Sequence, residues 1–556
     1  MATAPSDTGQ NALQEALEKK LADIGRKEAA LGADKLATEL GLPFADLKGL
    51  PIDPGALAKV SESDARAAGV ALVQAKGATG VAVTADPRPP QAAHLIEKIK
   101  KTIPQLRIVI VSPADMEAVF ARYATIKTTE VFEVGAIKMD DAVLSRATEK
   151  ISSIEDLKAQ IAGANVTQLF EILVAGALAT KSSDIHFEPE AATVRLRYRL
   201  DGMLHEIITL EPATYHRVLN RVKVLSKMKL NITKAPQDGR FTIRQSDLDI
   251  EVRVSVLPSE YGESIVMRLL DPRNIRTKLE ELGMRPDILE QVRAQVAKPQ
   301  GALLTTGPTG SGKTTTLYAF INELNTPDVK IITVEDPIEY HIAGISQTQV
   351  EPDKGYTFAS GLRAIVRQDP DVILIGEIRD LETAEIALNA ALTGHLVLST
   401  IHTNDAAGTI PRLIELGTKA EIIAPSLTMA MGQRLLRRLC PDCKKATPLS
   451  AADLKAVQAA VTPIAERFKL GSVKDTTVYG PVGCTKCNGT GYKGRVGVYE
   501  VFAITKEMEH LILTSPAVSD VRDLAIKQGM VTMQQDSYLK LLDGTTSIEE
   551  IRRVVG

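Results

Sequence analysis

The chain has no tryptophan, and aromatic residues make up only 4% of it. Its formal net charge is −3 at pH 7, so the protein as a whole has no positive field that would attract nucleic acid. Surfaces that bind single strands usually offer aromatic rings on which bases stack, and few rings are present here. We therefore expect no direct nucleic-acid partner.

Long hydrophobic runs are also missing. The longest candidate, Val166 to Thr180, is interrupted by Gln168 and Glu171, so it predicts a buried amphipathic helix and not a membrane span. The first residues lack the basic and apolar parts of a secretory signal. These absences predict a cytoplasmic protein that contacts a membrane only through partners.

Cysteine is scarce, and the 4 cysteines fall into two Cys-x-x-Cys pairs, Cys440/Cys443 and Cys484/Cys487. Paired spacing of this kind in a reducing compartment favours a metal site over disulfides. Four thiolates in a tetrahedron suit Zn²⁺ and leave no open position, so we predict a structural zinc. A redox-active pair is the alternative.

At 556 residues the chain is too long for one hydrophobic core, and about three or four domains are expected. Val70 to Val83 and Arg107 to Val111 predict strands of a small α/β domain, and alternating residues near Asp184 to Leu200 predict strands of a second one. The predicted domains are an N-terminal adapter at 1–125, a linker at 126–160, the second N-terminal domain at 161–280, an α/β core at 283–433, a cysteine-bearing subdomain at 434–500 and a helical region at 501–556.

The core alternates strands with helices, which predicts a largely parallel sheet covered by helices on both faces. Ligands of such sheets bind at the carboxyl ends of the strands, so the residues that follow each strand are the candidates for function. The predicted strands are Ala302–Thr306, Lys330–Val334, Val372–Ile375 and Leu396–Ile401.

The first of these strands is followed by a complete phosphate-binding loop. The pattern requires Gly, four free positions and Gly-Lys-Ser/Thr, and a helix predicted over Thr314 to Leu324 follows it. Backbone N–H groups and the helix N-terminus then point at one small volume that suits an anion. Lys313 would reach the β- and γ-phosphates of a nucleoside triphosphate, and Thr314 would bind Mg²⁺. The loop residues are Gly307, Pro308, Thr309, Gly310, Ser311, Gly312, Lys313, Thr314 and Thr315.

Acidic residues follow two other strands. Glu377 comes after Val372–Ile375 and Gly376, where many nucleotide hydrolases keep an Asp, and Glu335 and Asp336 end the strand before it. Carboxylates at such positions bind Mg²⁺ or take a proton from the attacking water. Glu377 as a helix cap and Asp336 as part of a turn are the simpler alternatives. The pattern leaves open which of Glu335 and Glu377 is the base.

Two histidines bracket the strand Leu396–Ile401. His402 lies at the polar carboxyl end, where a contact with the γ-phosphate is expected. His395 lies at the other end, and for this residue a phosphate contact and a purely structural hydrogen bond remain equally open.

Together these motifs resemble the type II/type IV secretion ATPase superfamily, strongly over 160–556 and more weakly near Lys35 to Leu47. The resemblance rests on the phosphate-binding loop, on Val-Glu-Asp-Pro-Ile-Glu at 334–339, on Arg-Gln-Asp-Pro-Asp at 367–371, on Gly-Glu-Ile-Arg-Asp at 376–380 and on Ser-Thr-Ile-His-Thr-Asn at 399–404. Ser-Asp-Ile-His-Phe-Glu-Pro at 183–189 and Pro-Gln-Asp-Gly-Arg at 236–240 are similar to the family's second N-terminal domain. The paired cysteines narrow the resemblance to the assembly branch, which comprises pilus extension and type II secretion motors.

The resemblance implies a RecA-like core, a PAS-like second N-terminal domain and a hexameric ring that acts on an inner-membrane platform protein. ATP would bind between these two domains, and hydrolysis would move one against the other. Lys313 and Thr314 would bind phosphate and Mg²⁺. Glu335 and Glu377 would act in acid–base catalysis and metal binding, and His402 would sense phosphate. Arginines of the second N-terminal domain would reach nucleotide, although a solvated strand face is the simpler interpretation of most of them. The arginines implied are Arg199, Arg221 and Arg240.

Several functions remain open at this point. A type IV pilus assembly motor and a type II secretion motor would share the same catalytic residues. A nucleic-acid translocase is disfavoured by charge and by the few aromatic residues, and a regulator without turnover is disfavoured by Glu335 and Glu377. Some relatives bind cyclic di-GMP through a paired Arg-Leu-Gly-type repeat near the N-terminus. No good copy of it is present, so we predict that this ligand does not bind.

Overall fold

The computed structural model describes residues 28–46, 52–126, 135–138, 154–162, 166–244, 248–273 and 277–556. The chain divides into two compact units, Met1–Phe132 and Glu133–Gly556. Among the described residues, no helix combines the length and the apolar character that crossing a bilayer requires.

The first unit is a small α/β domain, as predicted. A three-stranded sheet is formed in the order β1 (Val70–Lys76), β2 (Thr79–Thr84) and β3 (Gln105–Ile110). The prediction of one strand from Val70 to Val83 was wrong, because a turn at Gly77, with φ of +60°, splits it into an antiparallel hairpin. The helices are 28–40, Pro54–Leu57, Glu62–Ala68, Pro90–Thr102 and Pro113–Ile126.

The second unit begins with a seven-stranded, mostly antiparallel sheet in the order β4-β8-β9-β10-β5-β6-β7. In β6 every second residue is buried, because the apolar residues face the helices and the arginines face away. The strands are β4 (Ala136–Lys138), β5 (Asp184–Pro189), β6 (Val194–Leu200), β7 (Met203–Leu210), β8 (Gln237–Arg244), β9 (Asp249–Ser259) and β10 (Gly262–Leu270). The helices are Ile154–Ala162, Val166–Ala179 and Pro212–Leu225.

Part of the predicted linker 126–160 belongs to this sheet and its core. Strand β4 pairs in parallel with β8, and the helix Ile154–Ala162 buries Leu157 completely. Ile137 and Ile154 are buried in the same cluster. The second domain therefore begins before residue 161. The sequence did not predict this, because the few apolar residues that pack in the core lie within a mixed, charged segment.

The second sheet of this unit has the order β13-β12-β14-β15-β11-β16-β19. Its first six strands are parallel and both of its faces are covered by apolar clusters, which confirms the predicted parallel core. The strands are β11 (Gly301–Thr306), β12 (Ile331–Glu335), β13 (Ser346–Gln349), β14 (Val372–Ile375), β15 (Leu396–Ile401), β16 (Leu427–Leu439) and β19 (Tyr492–Ala503). The helices are Pro286–Val296, Lys313–Leu324, Phe358–Val366, Leu381–Leu392, Thr409–Glu415 and Ala420–Ser426.

The cysteine-bearing segment is an insertion between two strands of this sheet. β16 pairs with β11 of the core as well as with β19, so the two ends of the predicted subdomain 434–500 belong to the core sheet. The insertion contains the helix Ala451–Val461 and the short strands β17 (Lys445–Ala446) and β18 (Tyr479–Gly480). The chain ends in the helices Lys506–Ile512, Val518–Lys527, Met533–Leu542 and Ile548–Val554.

Candidate active site and metal centre

The phosphate-binding loop connects β11 to the helix Lys313–Leu324, as the sequence predicts. Gly307, Gly310 and Gly312 have φ angles of +147°, +80° and +90°, a region that side chains with a Cβ rarely adopt. A Cβ at Gly307 would lie 2.5 Å from the carbonyl oxygen of Gln433, and one at Gly312 would lie 2.8 Å from its Nε2. The loop therefore needs glycine to sit this close to β16.

The residue under the loop, Gln433, is one that sequence reasoning missed. Its side chain is buried and accepts a hydrogen bond of 2.9 Å from the hydroxyl of Thr316. Nothing in the local sequence marks Gln433, because only the pairing of β16 with β11 brings it here. It supports the loop from below.

Two groups of the loop are suited to an anion. The buried Ser311 hydroxyl has no hydrogen-bond partner among the described residues, so it remains a donor for a bound group. The Lys313 ammonium donates to the carbonyl oxygens of Gly307 and Pro308 at 2.8 and 3.1 Å. Burial lowers the pKa of Lys313, and the charge of Glu377 opposes that shift. Phosphate oxygens would give this buried ammonium a stronger partner than carbonyls.

Glu335 is held rigidly at the end of β12. Its carboxylate is buried and accepts hydrogen bonds from the hydroxyl of Tyr318, from Oγ1 of Thr333 at 2.5 Å and from Nε2 of Gln347 at 3.1 Å. Burial, followed by the charge of Glu335, raises the pKa of Tyr318, so the phenol stays protonated and keeps donating. The carboxylate is thus fixed in position beside the loop.

Glu377 follows β14 and has two side-chain partners. It forms an ion pair with Arg379, and His402 Nε2 lies 2.8 Å from its Oε2. Burial alone would raise the pKa of Glu377, but Arg379 and His402 outweigh burial and lower it below its ordinary value. The carboxylate therefore stays ionised, and His402 is brought to the site as predicted.

These side chains surround one cavity of about 450 Å³. A volume of this order is typical of pockets for small ligands and cofactors. Its lining joins the carboxyl ends of β11, β12, β14 and β15 to the start of one helix. The lining residues from the predicted set are Thr309, Gly310, Gly312, Lys313, Thr314, Thr315, Glu335, Asp336, Glu377 and His402.

His395 does not belong to this site. Its Nδ1 lies 2.9 Å from the carbonyl oxygen of Ala390, at the amino end of β15. Six residues of strand, roughly 20 Å, separate it from the edge where the phosphate-binding loop lies. Of the two interpretations left open for His395, this position favours the structural hydrogen bond over the phosphate contact.

The three arginines implied by the resemblance also do not line the cavity in the described part of a single chain. Arg199 donates to Asp184 Oδ2 at 3.0 Å, and Arg221 donates to Glu171 Oε1 at 3.1 Å. The side chain of Arg240 is 73% exposed and 4.0 Å from Glu251. Only Arg240 presents most of its guanidinium to solvent.

Two other arginines line the cavity and were missed. Arg379 lies in the Gly-Glu-Ile-Arg-Asp motif two residues after Glu377, and Arg495 comes from β19. Arg495 follows the cysteine insertion and is far along the chain from the phosphate-binding loop, so the sequence did not indicate that it lies near the loop. Both residues add positive charge around a space suited to phosphate.

The four cysteines form one cluster. Their sulfur atoms all lie within 4.8 Å of one another, with Sγ–Sγ distances of 3.9 Å for Cys440–Cys484, 3.8 Å for Cys443–Cys487 and 3.7 Å for Cys484–Cys487. A tetrahedron with Zn–S bonds of ~2.3 Å has sulfur–sulfur edges of ~3.8 Å. The four sulfur atoms therefore fit the coordination of one metal ion by four thiolates.

The backbone around the cluster supports thiolates. The N–H groups of Cys484 and Gly491 point at Cys487 Sγ, at 3.1 and 3.3 Å. A Cβ at Gly483 would lie 2.4 Å from the carbonyl oxygen of Gly489, so the turn needs glycine. One cluster of four thiols, in place of two separate pairs, favours the metal over the redox interpretation.

Comparisons with known proteins agree with this geometry. The model of the family described as "Type II/IV secretion system protein" matches residues 160–553, and the MshEN domain model matches residues 40–129. The "Type IV pilus assembly ATPase PilB" of Myxococcus xanthus is 36% identical over 534 residues, covering 96% of this chain and 92% of that protein. The "Type II secretion system protein E" of Aeromonas hydrophila is 42% identical over 406 residues, covering 73% of this chain and 79% of that protein.

A solved structure shows the same fold. The Legionella pneumophila ATPase DotB superposes with a TM-score of 0.51 at 22% identity, covering 69% of this chain and 95% of that one. At this identity the likeness concerns the fold alone.

Proposed function

Because the chain belongs to the family of type II/IV secretion system proteins, we propose that it is a ring-forming motor that uses ATP hydrolysis to assemble a type IV pilus. The chain is an ATPase of the secretion and pilus class, with a RecA-like core. The narrower proposal, a pilus motor and not a type II secretion motor, is supported by one observation: the share of this chain with which each relative aligns. The pilus ATPase of M. xanthus aligns over 96% of the chain, whereas the type II proteins of A. hydrophila and Dickeya dadantii align over 73% and 88%.

The cavity supports hydrolysis of ATP with defined roles. We assign the phosphates to the loop Gly307–Thr315, with Lys313 as the charge that meets them. Thr314, exposed at the start of its helix, would hold Mg²⁺, which neutralises phosphate charge when bound. Glu377, kept ionised by Arg379 and His402, provides negative charge beside that position, and His402 senses phosphate.

We propose Glu335 as the general base. Glu377 is already bound by Arg379 and His402, and its lowered pKa makes it a weak proton acceptor. Glu335 lines the same cavity and is oriented by three donors, one of which is the Tyr318 hydroxyl. It would take the proton of the water that attacks the γ-phosphate.

The assembly we propose is a homohexamer in the cytoplasm that acts on an inner-membrane platform protein and reaches the membrane only through partners. Arg199, Arg221 and Arg240 would then face a neighbouring subunit's nucleotide, since they do not line the cavity of their own chain in its described part. Zn²⁺ would hold the four cysteines as a structural ion. The expectation that cyclic di-GMP does not bind stays a prediction.

The test is replacement of the native gene by the Glu377→Gln version, with surface pili and secreted proteins scored together. Loss of pili with intact secretion supports a pilus motor, and loss of secretion with normal pili moves the chain to the type II system. Glu421→Gln, an exposed change on another helix, is the matched control. Strong stimulation of ATP turnover by DNA would instead favour a nucleic-acid translocase.

A further inference from the structure

A row of charged residues crosses one face of the sheet of the second N-terminal domain. Arg253 in β9 is directly opposite Arg240 in β8 and Arg268 in β10, and Arg268 is in turn opposite Asp184 in β5. Directly opposed residues lie on the same face, and like charges in such positions repel one another. The central arginine of three therefore needs negative partners.

Arg253 finds these partners on the ATPase core. Its Nη2 donates to the carbonyl oxygen of Ile338 at 2.5 Å, and its Nη1 lies 3.5 Å from Oε2 of Glu339. On its own strand Nε lies 3.3 Å from Glu251. The side chain is only 24% exposed, so these contacts are partly shielded from solvent.

The segment that Arg253 holds is part of the nucleotide cavity. Residues 336–339 follow Glu335 directly, and Asp336, Pro337 and Glu339 all line the cavity. A guanidinium fixed on Ile338 and Glu339 thus restrains the chain three and four residues beyond the proposed base. Loss of the contact would free this segment and leave Arg253 between two like charges, with Glu251 as its remaining partner.

We propose that Arg253 is a positioning residue that couples the position of the seven-stranded sheet to the geometry of the hydrolytic site through residues 336–339. This inference rests on the proposed function as an ATP-driven motor. Arg253 does not touch nucleotide, and it acts through the loop. Since linkage is reciprocal, a change in the loop on nucleotide binding also changes how firmly the sheet is held.

The experiment measures MgATP turnover by the full-length, assembled protein. Arg253→Gln is expected to lower kcat about tenfold while KM for ATP changes less than about twofold, with unchanged melting temperature and ring size. Arg253→Lys keeps the charge, but a single ammonium cannot reach the Ile338 carbonyl oxygen and the Glu339 carboxylate with the geometry of a guanidinium, so it should also lower kcat. Arg273→Gln removes an arginine beyond the end of β10 that pairs with Asp271, and it should leave kcat unchanged.

A charge swap separates positioning from loss of stability. Arg253→Glu and Glu339→Arg should each lower kcat, and the double variant should exceed either single variant at least about threefold, because the ion pair forms again with its charges reversed. Recovery stays below wild type, since a carboxylate at position 253 cannot donate to the carbonyl oxygen of Ile338. Wild-type kcat in Arg253→Gln and Arg253→Lys, or a double variant no better than the single ones, would overturn the proposal. Absence of turnover in the unaltered protein would refute the proposed function instead.

Discussion

At the scale of single residues, the site contains two carboxylates with different surroundings. Glu335 is buried among hydroxyl and amide donors, whereas Glu377 lies between Arg379 and His402. The sequence predicted both residues but could not divide their roles, because each simply follows a buried strand. The partners that distinguish them come from other strands and helices.

We expect Glu335→Gln to lower kcat about 10²-fold or more while leaving ATP binding largely intact, since removal of a general base affects the chemical step. Phosphate release and nucleotide affinity, measured on the same preparation, test this. Thr333→Val is a useful companion, because it removes one donor to Glu335 and should reduce kcat less. Turnover above a tenth of wild type in Glu335→Gln would contradict the assignment.

At the scale of elements, the strands that carry the motifs were the easiest to predict. β14 and β15 have the predicted bounds because both strands are fully buried and a glycine or a polar residue follows each. The hairpin β1–β2 was missed because a single glycine, Gly77, forms its turn. The strand β4 was missed because it is only 3 residues long. Gln433 and Arg495 were missed for another reason: strand pairing, and not local sequence, places them.

Glu500 illustrates how distant elements are tied together. Its buried carboxylate accepts from the N–H of Ala406 at 2.6 Å and from the N–H of Met533 at 3.1 Å, and burial raises the pKa of this carboxyl. One contact is to the loop after β15 and the other to the start of the helix Met533–Leu542. Gly432 makes room, because a Cβ there would lie 3.0 Å from Glu500 Cγ.

We therefore expect Glu500→Ala to reduce the free energy of unfolding by about 2–5 kcal/mol, because two buried N–H groups lose their acceptor. Urea denaturation of the full chain measures this. Glu421→Ala, at an exposed site, should stay within about 0.5 kcal/mol of wild type. Equal stability of the two variants would mean that the contacts to Ala406 and Met533 contribute nothing.

The cysteine cluster should determine the order of the whole insertion between β16 and β19. Cys440→Ser is expected to abolish binding of one zinc per chain and to make the insertion more sensitive to limited proteolysis, because three ligands bind zinc poorly in a structural site. Atomic absorption and protease mapping test both effects. Unchanged zinc content would show that the four thiols do not share one ion.

At the scale of the whole molecule, the arginines of the second N-terminal domain pose the main question. Arg240 is 73% exposed and does not line the cavity of its own chain in its described part. In a closed ring, each subunit presents the same surface to its neighbour, so a residue absent from its own site can complete the adjacent one. This arrangement predicts that Arg240 acts between subunits.

Mixed rings make that prediction measurable. Lys313→Ala and Arg240→Gln should each abolish or strongly reduce turnover alone. If Arg240 serves the neighbouring site, random 1:1 mixing pairs an intact Lys313 with an intact Arg240 at about a quarter of the interfaces. Turnover should then return to about a quarter of the wild-type rate. If Arg240 served its own site, every subunit would carry one defect in the same site and mixing would restore nothing. Activity that returns only when both variants are assembled together therefore locates the arginine across the interface, and a persistently inactive mixture places it within its own chain.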